Sequence, residues 1–121
     1  AVHQLRRPDD LAAEGLADRL VAQALARASG MVVVAKGGDT LVAAPDGRVA
    51  FAPRASTWLS TAGTGDVLAG TIASRLANGA APFAAACEGA WIHCAASWHT
   101  SVPFSAAQLA EQIARAYAAC L

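Results

Sequence analysis

The chain has few cysteines, and they form no metal-binding or disulfide pattern. The three are Cys87, Cys94 and Cys120, an odd number without a C-x-x-C pair. This argues against a disulfide framework and against a zinc site of the usual spacing. Cys87 and Cys94 share one face of a predicted helix with two tryptophans, so we predict reduced, buried and inert thiols. Such thiols are typical of a cytoplasmic protein.

Charge and long apolar runs are also scarce. Charged residues make up 15% of the 121 residues, and the formal net charge is +0. The chain has no basic patch for nucleic acid, and no apolar run reaches the ~18 residues of a membrane span. Apolar residues nevertheless make up 55% of the chain, enough for the core of one small domain. We therefore predict no nucleic-acid partner and no membrane partner.

The first part of the chain has the pattern of an α/β fold. A helix is predicted over about residues 10–29, with an apolar stripe that includes Leu16, Leu20 and Leu25 and is typical of packing on a core. Residues 31–35 are a continuous apolar run, typical of a strand buried on both faces in a parallel sheet covered by helices. A helix that leads into such a strand indicates α/β architecture.

The rest of the chain predicts a hairpin and three helices. Strands at 41–44 and 49–52 flank the turn Pro45-Asp46-Gly47-Arg48, which is a β-hairpin pattern. A loop of small and polar residues covers 53–64. The helices are predicted at about 66–77, 82–98 and 106–119, and the last begins with a capping box from Ser105 to Gln108.

The stretch Thr61-Ala62-Gly63-Thr64-Gly65-Asp66 stands directly before the first of these helices. Its glycines allow a sharp turn that exposes backbone N–H groups, and the helix dipole behind them favours an anion such as phosphate. Asp66 beside that site is suited to take a proton from a hydroxyl. The same residues also fit an ordinary helix start, with Asp66 as a cap or dipole partner. The spacing matches neither a P-loop nor a dinucleotide fingerprint.

Other polar residues have two interpretations each. Lys36 ends the predicted strand 31–35, where open α/β sheets bind ligands, so it is either a phosphate or nucleotide contact or a solvated surface lysine. For His93, packing within a helix layer is favoured over acid–base chemistry, and Glu88 is either its partner or a surface charge. In the loop, Trp58 either fills space or stacks on a ring, and Arg54 is a candidate phosphate contact.

Three motifs give the chain a resemblance to a known family. The sequence TAGTGDVLAG over Thr61–Gly70 resembles the C-terminal signature of ribokinase-like small-molecule kinases. With Lys36-Gly37-Gly38-Asp39-Thr40 and the turn Pro45–Arg48 upstream, the chain is most similar to the ADP/ATP-dependent NAD(P)H-hydrate dehydratases. The resemblance implies an α/β fold of the ribokinase-like three-layer sandwich type. It also implies that residues 1–121 are the C-terminal part of the domain, with the upstream part missing.

The resemblance assigns roles to the candidate residues. It implies an anion hole for the transferred phosphoryl group at Gly63, Thr64 and Gly65, with Asp66 as the catalytic base in contact with the substrate. It implies a nucleotide site formed by Lys36, Gly37, Gly38, Asp39, Thr40 and Gly65. The implied reaction is phosphorylation of the C6 hydroxyl of hydrated NADH or NADPH by ATP or ADP, followed by elimination of phosphate. Mg²⁺ would accompany the nucleotide, with no metal ligand from this chain.

Two alternatives stay open at this point. The same anion hole and base would serve a ribokinase-like kinase of a vitamin-precursor alcohol, of the hydroxymethylpyrimidine or hydroxyethylthiazole type. The chain could instead be a non-catalytic fragment, and we expect it to be inactive on its own. For the parent enzyme, a hydro-lyase, we expect adenine nucleotide and hydrated NAD(P)H as ligands and self-association into a homo-oligomer. The parent is also a candidate to carry an epimerase domain.

Overall fold

The structure is a computed structural model that describes residues 13–37 and 40–120. Its elements follow the predicted order of helix, strand, hairpin and three helices. They are α1 (Ala13–Ser29), β1 (Val33–Ala35), β2 (Leu41–Ala43), β3 (Val49–Phe51), a 3-10 helix (Thr57–Ser60), α2 (Thr64–Ala77), α3 (Pro82–His99) and α4 (Ala106–Cys120). Residues 10–12 of the predicted first helix lie outside the described part of the chain.

The three strands form one antiparallel sheet in the order β1-β2-β3. Val42 in the central strand lies opposite Val34 on one side and Ala50 on the other. At the turn between β2 and β3, the Ala44 N–H donates to the Arg48 carbonyl at 2.8 Å. The predicted hairpin is therefore confirmed.

Alternate strand residues point to opposite sides of this sheet. Helices cover both of the resulting faces. The cluster on the α1 side consists of Ala22, Ala26, Leu41, Ala43 and Phe51. The cluster on the α3 side consists of Val42, Ala50, Ala86 and Cys87. The described residues thus form the predicted three layers of helix, sheet and helix.

Strand β1 differs from its predicted form. The apolar run 31–35 predicts a parallel sheet, whereas β1 pairs antiparallel with β2 and its three residues are half-buried. The connection over residues 36–40 is too short for the crossover that joins parallel neighbours, so the chain turns back on itself. Within the described residues the parallel pairing is wrong, and the covering of the sheet by helices is confirmed.

The apolar stripe predicted for α1 does not face the sheet. Ala22 and Ala26 are buried there, whereas Leu16, Leu20 and Leu25 are 48%, 58% and 53% exposed. Small alanine side chains let the helix backbone come close to the strands, and the leucines then lie on the other side of the helix. The prediction that these leucines pack on the core is wrong for the described residues.

Helices α2 and α3 approach each other closely at a glycine. A Cβ added to Gly89 in α3 would collide with Cγ1 of Ile72 in α2 and would also meet backbone atoms of that residue, the Cα at 3.1 Å and the N at 3.2 Å. Farther along the same pair, Arg75 Nε donates to Glu88 Oε2 at 2.7 Å. The relative position of α2 and α3 is therefore set by a tight backbone contact and by an ion pair.

Two helix starts show how local sequence sets an element's first residue. The capping box of α4 is confirmed, since the Gln108 N–H donates to Ser105 Oγ at 3.3 Å and the Ser105 N–H donates to Gln108 Oε1 at 2.8 Å. Helix α2 begins at Thr64 rather than at residue 66. Gly63 precedes it with a left-handed φ of 88°, which turns the loop directly into the helix.

The thiols of Cys87 and Cys94 are buried and free. Burial raises the pKa of each thiol to about 11. Both groups therefore stay protonated at neutral pH, and the prediction of reduced, unreactive cysteines is confirmed for these two.

None of the helices in the described part of the chain combines the length and the apolar character needed to cross a lipid bilayer.

Candidate functional site

A cavity of about 540 Å³ opens where β1 ends and α2 begins. Its walls come from the end of β1 with the following loop, from residues 52–63 with the first turn of α2, and from one face of α3. The predicted site residues in these walls are Lys36, Gly37, Thr40, Gly63, Thr64 and Gly65. Two sequence motifs that are far apart along the chain therefore meet at one site.

The turn before α2 presents two main-chain donors. Gly63 occupies the N-cap position in a left-handed conformation that favours glycine. The N–H groups of Gly63 and Gly65 donate to no acceptor within the described residues, as is usual in the first turn of a helix. Two such donors at the positive end of a helix are suited to bind an anion.

Thr64 anchors this turn through its side chain. The residue is buried, and its Oγ1 donates to the Leu59 carbonyl at 2.6 Å and lies 2.9 Å from the Thr61 carbonyl. The Thr64 N–H donates to the Thr61 carbonyl at 3.3 Å. Of the three residues expected to form the anion hole, Gly63 and Gly65 have available N–H groups, and the Thr64 N–H makes a long internal hydrogen bond.

Lys36 reaches from the end of β1 to the glycine turn. A Cβ added to Gly65 would collide with Lys36 Nζ, so the ammonium group lies beside the Gly65 backbone. The missing side chain at Gly65 thus leaves room for a cation. Gly38 and Asp39, also predicted to bind nucleotide, lie outside the described residues.

Asp66 lies in the first turn of α2 but not in the cavity wall. Its side chain is exposed, and its N–H donates to the Gly63 carbonyl at 3.1 Å. A carboxylate in this turn is stabilised by the helix dipole. The glycine turn therefore has the cavity on one side and an accessible carboxylate next to it.

Side chains on one face of α3 hold the loop wall of the cavity through contacts with the main chain of the loop. Ser97 Oγ accepts the Ser56 N–H at 3.2 Å, and Trp98 Nε1 donates to the Arg54 carbonyl at 3.0 Å. Cys94 Sγ lies 3.4 Å from the same carbonyl. Sequence reasoning misses all three α3 residues. Their spacing of i, i+3 and i+4, which places them on one helix face, is the signal that could have found them.

His93 on α3 holds the glycine turn. Its side chain is 7% exposed, and Nε2 lies 2.9 Å from the Thr64 carbonyl. Burial lowers the pKa of the ring, the hydrogen bond to Thr64 opposes this, and the charge of Lys36 adds to the lowering. The prediction of a packed histidine is confirmed. Glu88 is neither its partner nor a free surface charge, because it pairs with Arg75.

Two loop side chains lie away from the cavity wall. Trp58 is close to Phe104, with 6.3 Å between the ring centroids, which supports the space-filling interpretation. Arg54 is exposed, and it contacts α3 through its main-chain carbonyl. A phosphate contact for the Arg54 guanidinium stays a prediction.

Metal-ligating side chains do not cluster in the part of the chain that the structure describes. No group of three or more His, Cys, Asp or Glu residues there could hold an ion. Mg²⁺ usually combines one or two carboxylates with phosphate oxygens and water. The described residues therefore do not build a magnesium site by themselves.

Comparison with known proteins places these motifs in a family context. A family model described as NAD(P)H-hydrate dehydratase matches residues 11–118. The chain is 52% identical over 68 residues to the ADP-dependent (S)-NAD(P)H-hydrate dehydratase of Neisseria meningitidis. It is 44% identical over 80 residues to a bifunctional NAD(P)H-hydrate repair enzyme of Moorella thermoacetica. These matches cover 56% and 65% of the chain, but only 23% and 15% of the two relatives.

A solved structure has the same fold. The ADP/ATP-dependent NAD(P)H-hydrate dehydratase of Bacillus subtilis, co-crystallised with ATP and Mg²⁺, matches with a TM-score of 0.79 and 25% sequence identity. The match covers 87% of this chain and 40% of that protein. The ribokinase-like α/β fold expected from the motifs is thus confirmed. The names of these three relatives do not favour the alternative of a vitamin-precursor kinase.

Proposed function

The chain belongs to the NAD(P)H-hydrate dehydratase family, and on that premise we propose that the protein carrying it repairs hydrated NADH and NADPH with ADP or ATP. The observation that carries the proposal is the contact between Lys36 and Gly65. This contact brings a cation to a turn with two available N–H groups, and the exposed carboxylate of Asp66 follows directly. Cation, amide donors and base are the parts that phosphoryl transfer to a hydroxyl needs.

The cavity is the proposed nucleotide site. Its volume of about 540 Å³ lies within the range of roughly 300–1,000 Å³ that small-molecule sites have. Lys36, Gly37 and Thr40 line it, and we assign Gly38 and Asp39 to the same site from the motif they complete. The ammonium group of Lys36 would neutralise phosphate charge, and the absence of a side chain at Gly37 would let phosphate approach the backbone.

The glycine turn is the proposed anion hole. The N–H groups of Gly63 and Gly65 would donate to the terminal phosphoryl group as negative charge redistributes in the transition state, assisted by the dipole of α2. The Thr64 N–H would join them by exchanging its long bond to Thr61 for one to the phosphoryl oxygen. Losing one donor of such a hole typically costs ~10²–10³ in rate.

Asp66 is the proposed general base. Its carboxylate would take the proton of the C6 hydroxyl while that oxygen bonds to the terminal phosphorus, and ADP or AMP would leave with the electrons of the broken P–O bond. The C6–O bond of the phosphate ester then breaks, inorganic phosphate carries away the bonding pair, and loss of a proton from C5 restores the ring double bond. The net result is removal of one water at the expense of one phosphoanhydride.

Mg²⁺ is proposed only as a companion of the nucleotide. The described residues contain no cluster that would hold it, so its ligands would be phosphate oxygens, water and groups outside these residues. When bound, it supplies positive charge to the phosphates. The roles of Lys36, Gly65 and Asp66 do not depend on where it lies.

The test is an assay of the full-length protein with hydrated NADH, Mg²⁺ and either ADP or ATP. We expect the near-ultraviolet absorbance of the dihydronicotinamide ring to return, with one phosphate released per ring restored. A hydrate left untouched with both nucleotides would contradict the proposal. ADP formation from ATP with a pyrimidine or thiazole alcohol, and none with the hydrate, would indicate a vitamin-precursor kinase instead.

We also propose that the parent protein acts in the cytoplasm, forms a homo-oligomer and is a candidate to carry an epimerase domain. The exposed leucines of α1 support association with further protein. The bifunctional name of the Moorella relative supports a second activity. Light scattering of the full-length protein tests the oligomeric state, an epimerisation assay on the same preparation tests the second activity, and cell fractionation tests the location.

A further inference from the structure

We propose that His93 is a positioning residue that aims the Gly65 N–H at the transferred phosphoryl group by holding the Thr64 carbonyl. The inference rests on the proposed function, because it assigns a task within the same anion hole. It starts from a contact that the sequence motifs do not contain, between a buried ring on α3 and the backbone of the glycine turn.

The hydrogen bond determines that one particular nitrogen of the His93 ring carries a proton. His93 Nε2 lies 2.9 Å from the Thr64 carbonyl oxygen, and a carbonyl oxygen only accepts. Nε2 must therefore carry the proton and donate it. The ring is 7% exposed, so it has little freedom to rotate away from this arrangement.

The Thr64 carbonyl and the Gly65 N–H belong to one peptide group. A trans peptide is planar, and its C=O and N–H bonds point in nearly opposite directions. A donor that holds the carbonyl from the α3 side therefore fixes the direction of the Gly65 N–H on the opposite side. The same bond polarises the peptide, which makes its N–H a better donor. His93 thus orients and strengthens a donor that it does not touch.

Other contacts keep the turn folded without His93. Thr64 Oγ1 donates to the Leu59 carbonyl, and the Thr64 N–H donates to the Thr61 carbonyl. A carbonyl oxygen has two acceptor positions, so a partner within the α2 ladder would leave one free for His93. Removing the imidazole donor should therefore loosen one peptide plane rather than unfold the helix.

Ser97 provides a matched control on the same face of α3. It holds the opposite wall of the cavity through the Ser56 N–H at 3.2 Å and is buried, as His93 is. A change at Ser97 should disturb the loop wall of the proposed nucleotide site, whereas a change at His93 should disturb the glycine turn that forms the proposed anion hole. The two variants should therefore affect different kinetic constants.

The experiment compares His93→Phe, His93→Gln and Ser97→Ala in the full-length protein. Phe keeps a ring without a donor, and Gln places an amide N–H near the position of Nε2. We expect His93→Phe to lower kcat by about tenfold to a hundredfold with little change in nucleotide KM, since an interaction used in the transition state is lost. Gln should restore most of kcat. Ser97→Ala should raise nucleotide KM and leave kcat nearly unchanged.

Several results would overturn the inference. They are a wild-type kcat in His93→Phe, a change confined to KM, or no recovery with Gln. If the Phe variant does not fold, His93→Asn replaces it, because the shorter Asn amide falls short of the carbonyl that Gln reaches.

A second readout separates this inference from the proposed function. If the wild-type protein does not repair the hydrate, the proposed function fails, and the Gly65 amide resonance then decides the role of His93. We expect His93→Phe to shift that resonance and speed its hydrogen exchange, while Ser97→Ala leaves both unchanged. An unmoved Gly65 resonance in His93→Phe would exclude the positioning role whatever the reaction is.

Discussion

Lys36 Nζ lies in the space that a side chain at Gly65 would fill. Lys36 directly follows a strand and Gly65 lies in the first turn of a helix, so neither motif alone reveals their contact. The absence of a side chain at one position therefore sets the place of a positive charge at the other. The role of Gly65 in placing Lys36 can therefore be tested separately from the backbone freedom of glycine.

Gly65→Ala should weaken nucleotide binding without destabilising the fold. The Gly65 φ is not in the left-handed region, so alanine fits the helix, but its Cβ would push aside the flexible end of Lys36. Moving one charged contact off the phosphates should raise nucleotide Kd by about tenfold. Calorimetric titration of the full-length protein with ADP and ATP measures this.

Gly70→Ala is the matched control for that variant. Gly70 lies in the same helix, and a Cβ there meets nothing within 4 Å. It should leave nucleotide affinity unchanged and stabilise the helix by roughly 0.5–1 kcal/mol. Equal affinities in Gly65→Ala and Gly70→Ala would show that the position of Lys36 does not matter for binding.

Asp66→Asn should abolish most turnover and spare binding. The amide cannot accept the hydroxyl proton, so kcat should fall by ~10²–10⁴. Nucleotide affinity should stay close to that of the wild type, because the Asp66 side chain does not line the cavity. Glu111→Gln, which removes an exposed carboxylate from α4, is the control and should be fully active. An active Asp66→Asn variant would remove Asp66 from the base role.

Gly89→Ala should destabilise the protein through the contact of α2 with α3. The new Cβ would collide with Ile72 Cγ1 and would also meet the Ile72 Cα at 3.1 Å and N at 3.2 Å, where backbone atoms cannot give way as a flexible side chain can. Such overpacking costs about 1–3 kcal/mol, measured as a lower urea midpoint. In an Ile72→Ala background the cost of Gly89→Ala should be smaller but not zero, because the collision with Cγ1 is gone and the main-chain contacts remain. An unchanged cost would place all of the strain at the main chain, and no cost at all would place it in the Ile72 side chain; either result would contradict the prediction.

Lowering the pH below about 6.5 should reduce stability through His93. Burial lowers the pKa of its ring in the folded state, and the nearby charge of Lys36 contributes. Between that lowered pKa and the unfolded value of 6.5, the unfolded chain binds more protons, so the free energy of unfolding falls as the pH falls. The contribution is fully present above the unfolded value. His93→Phe should flatten this slope, and His99→Gln, a change at an exposed histidine, should keep it. Identical slopes in wild type and His93→Phe would contradict the assignment.

The sequence predicts well what depends on neighbouring residues. The hairpin follows from its turn chemistry, and the start of α4 follows from the pair Ser105 and Gln108. The glycine turn before α2 follows from Gly63 and Gly65. Each of these features is decided within a few positions, where turn and capping preferences act directly.

What depends on distant contacts could not be predicted in the same way. The apolar run 31–35 is typical of a strand in a parallel sheet covered by helices, but helices can also cover an antiparallel strand, and the short connection after it decides the direction of its neighbour. The leucines of α1 have the spacing of a buried stripe, but the alanines beside them allow the closer approach to the sheet. His93, Ser97 and Trp98 bind main-chain atoms far away in sequence, and every residue type supplies such main-chain donors and acceptors, so the loop sequence does not identify the partners.

The contacts that α3 makes with the cavity walls end on main-chain atoms, and this has a consequence for sequence variation. A carbonyl or an amide is present whatever side chain accompanies it, so Arg54 could be exchanged for many residues while Trp98 keeps its hydrogen bond. The side chains of α3, rather than those of the loop, would then preserve the shape of the cavity. Related chains could thus retune what the loop recognises while keeping a common frame.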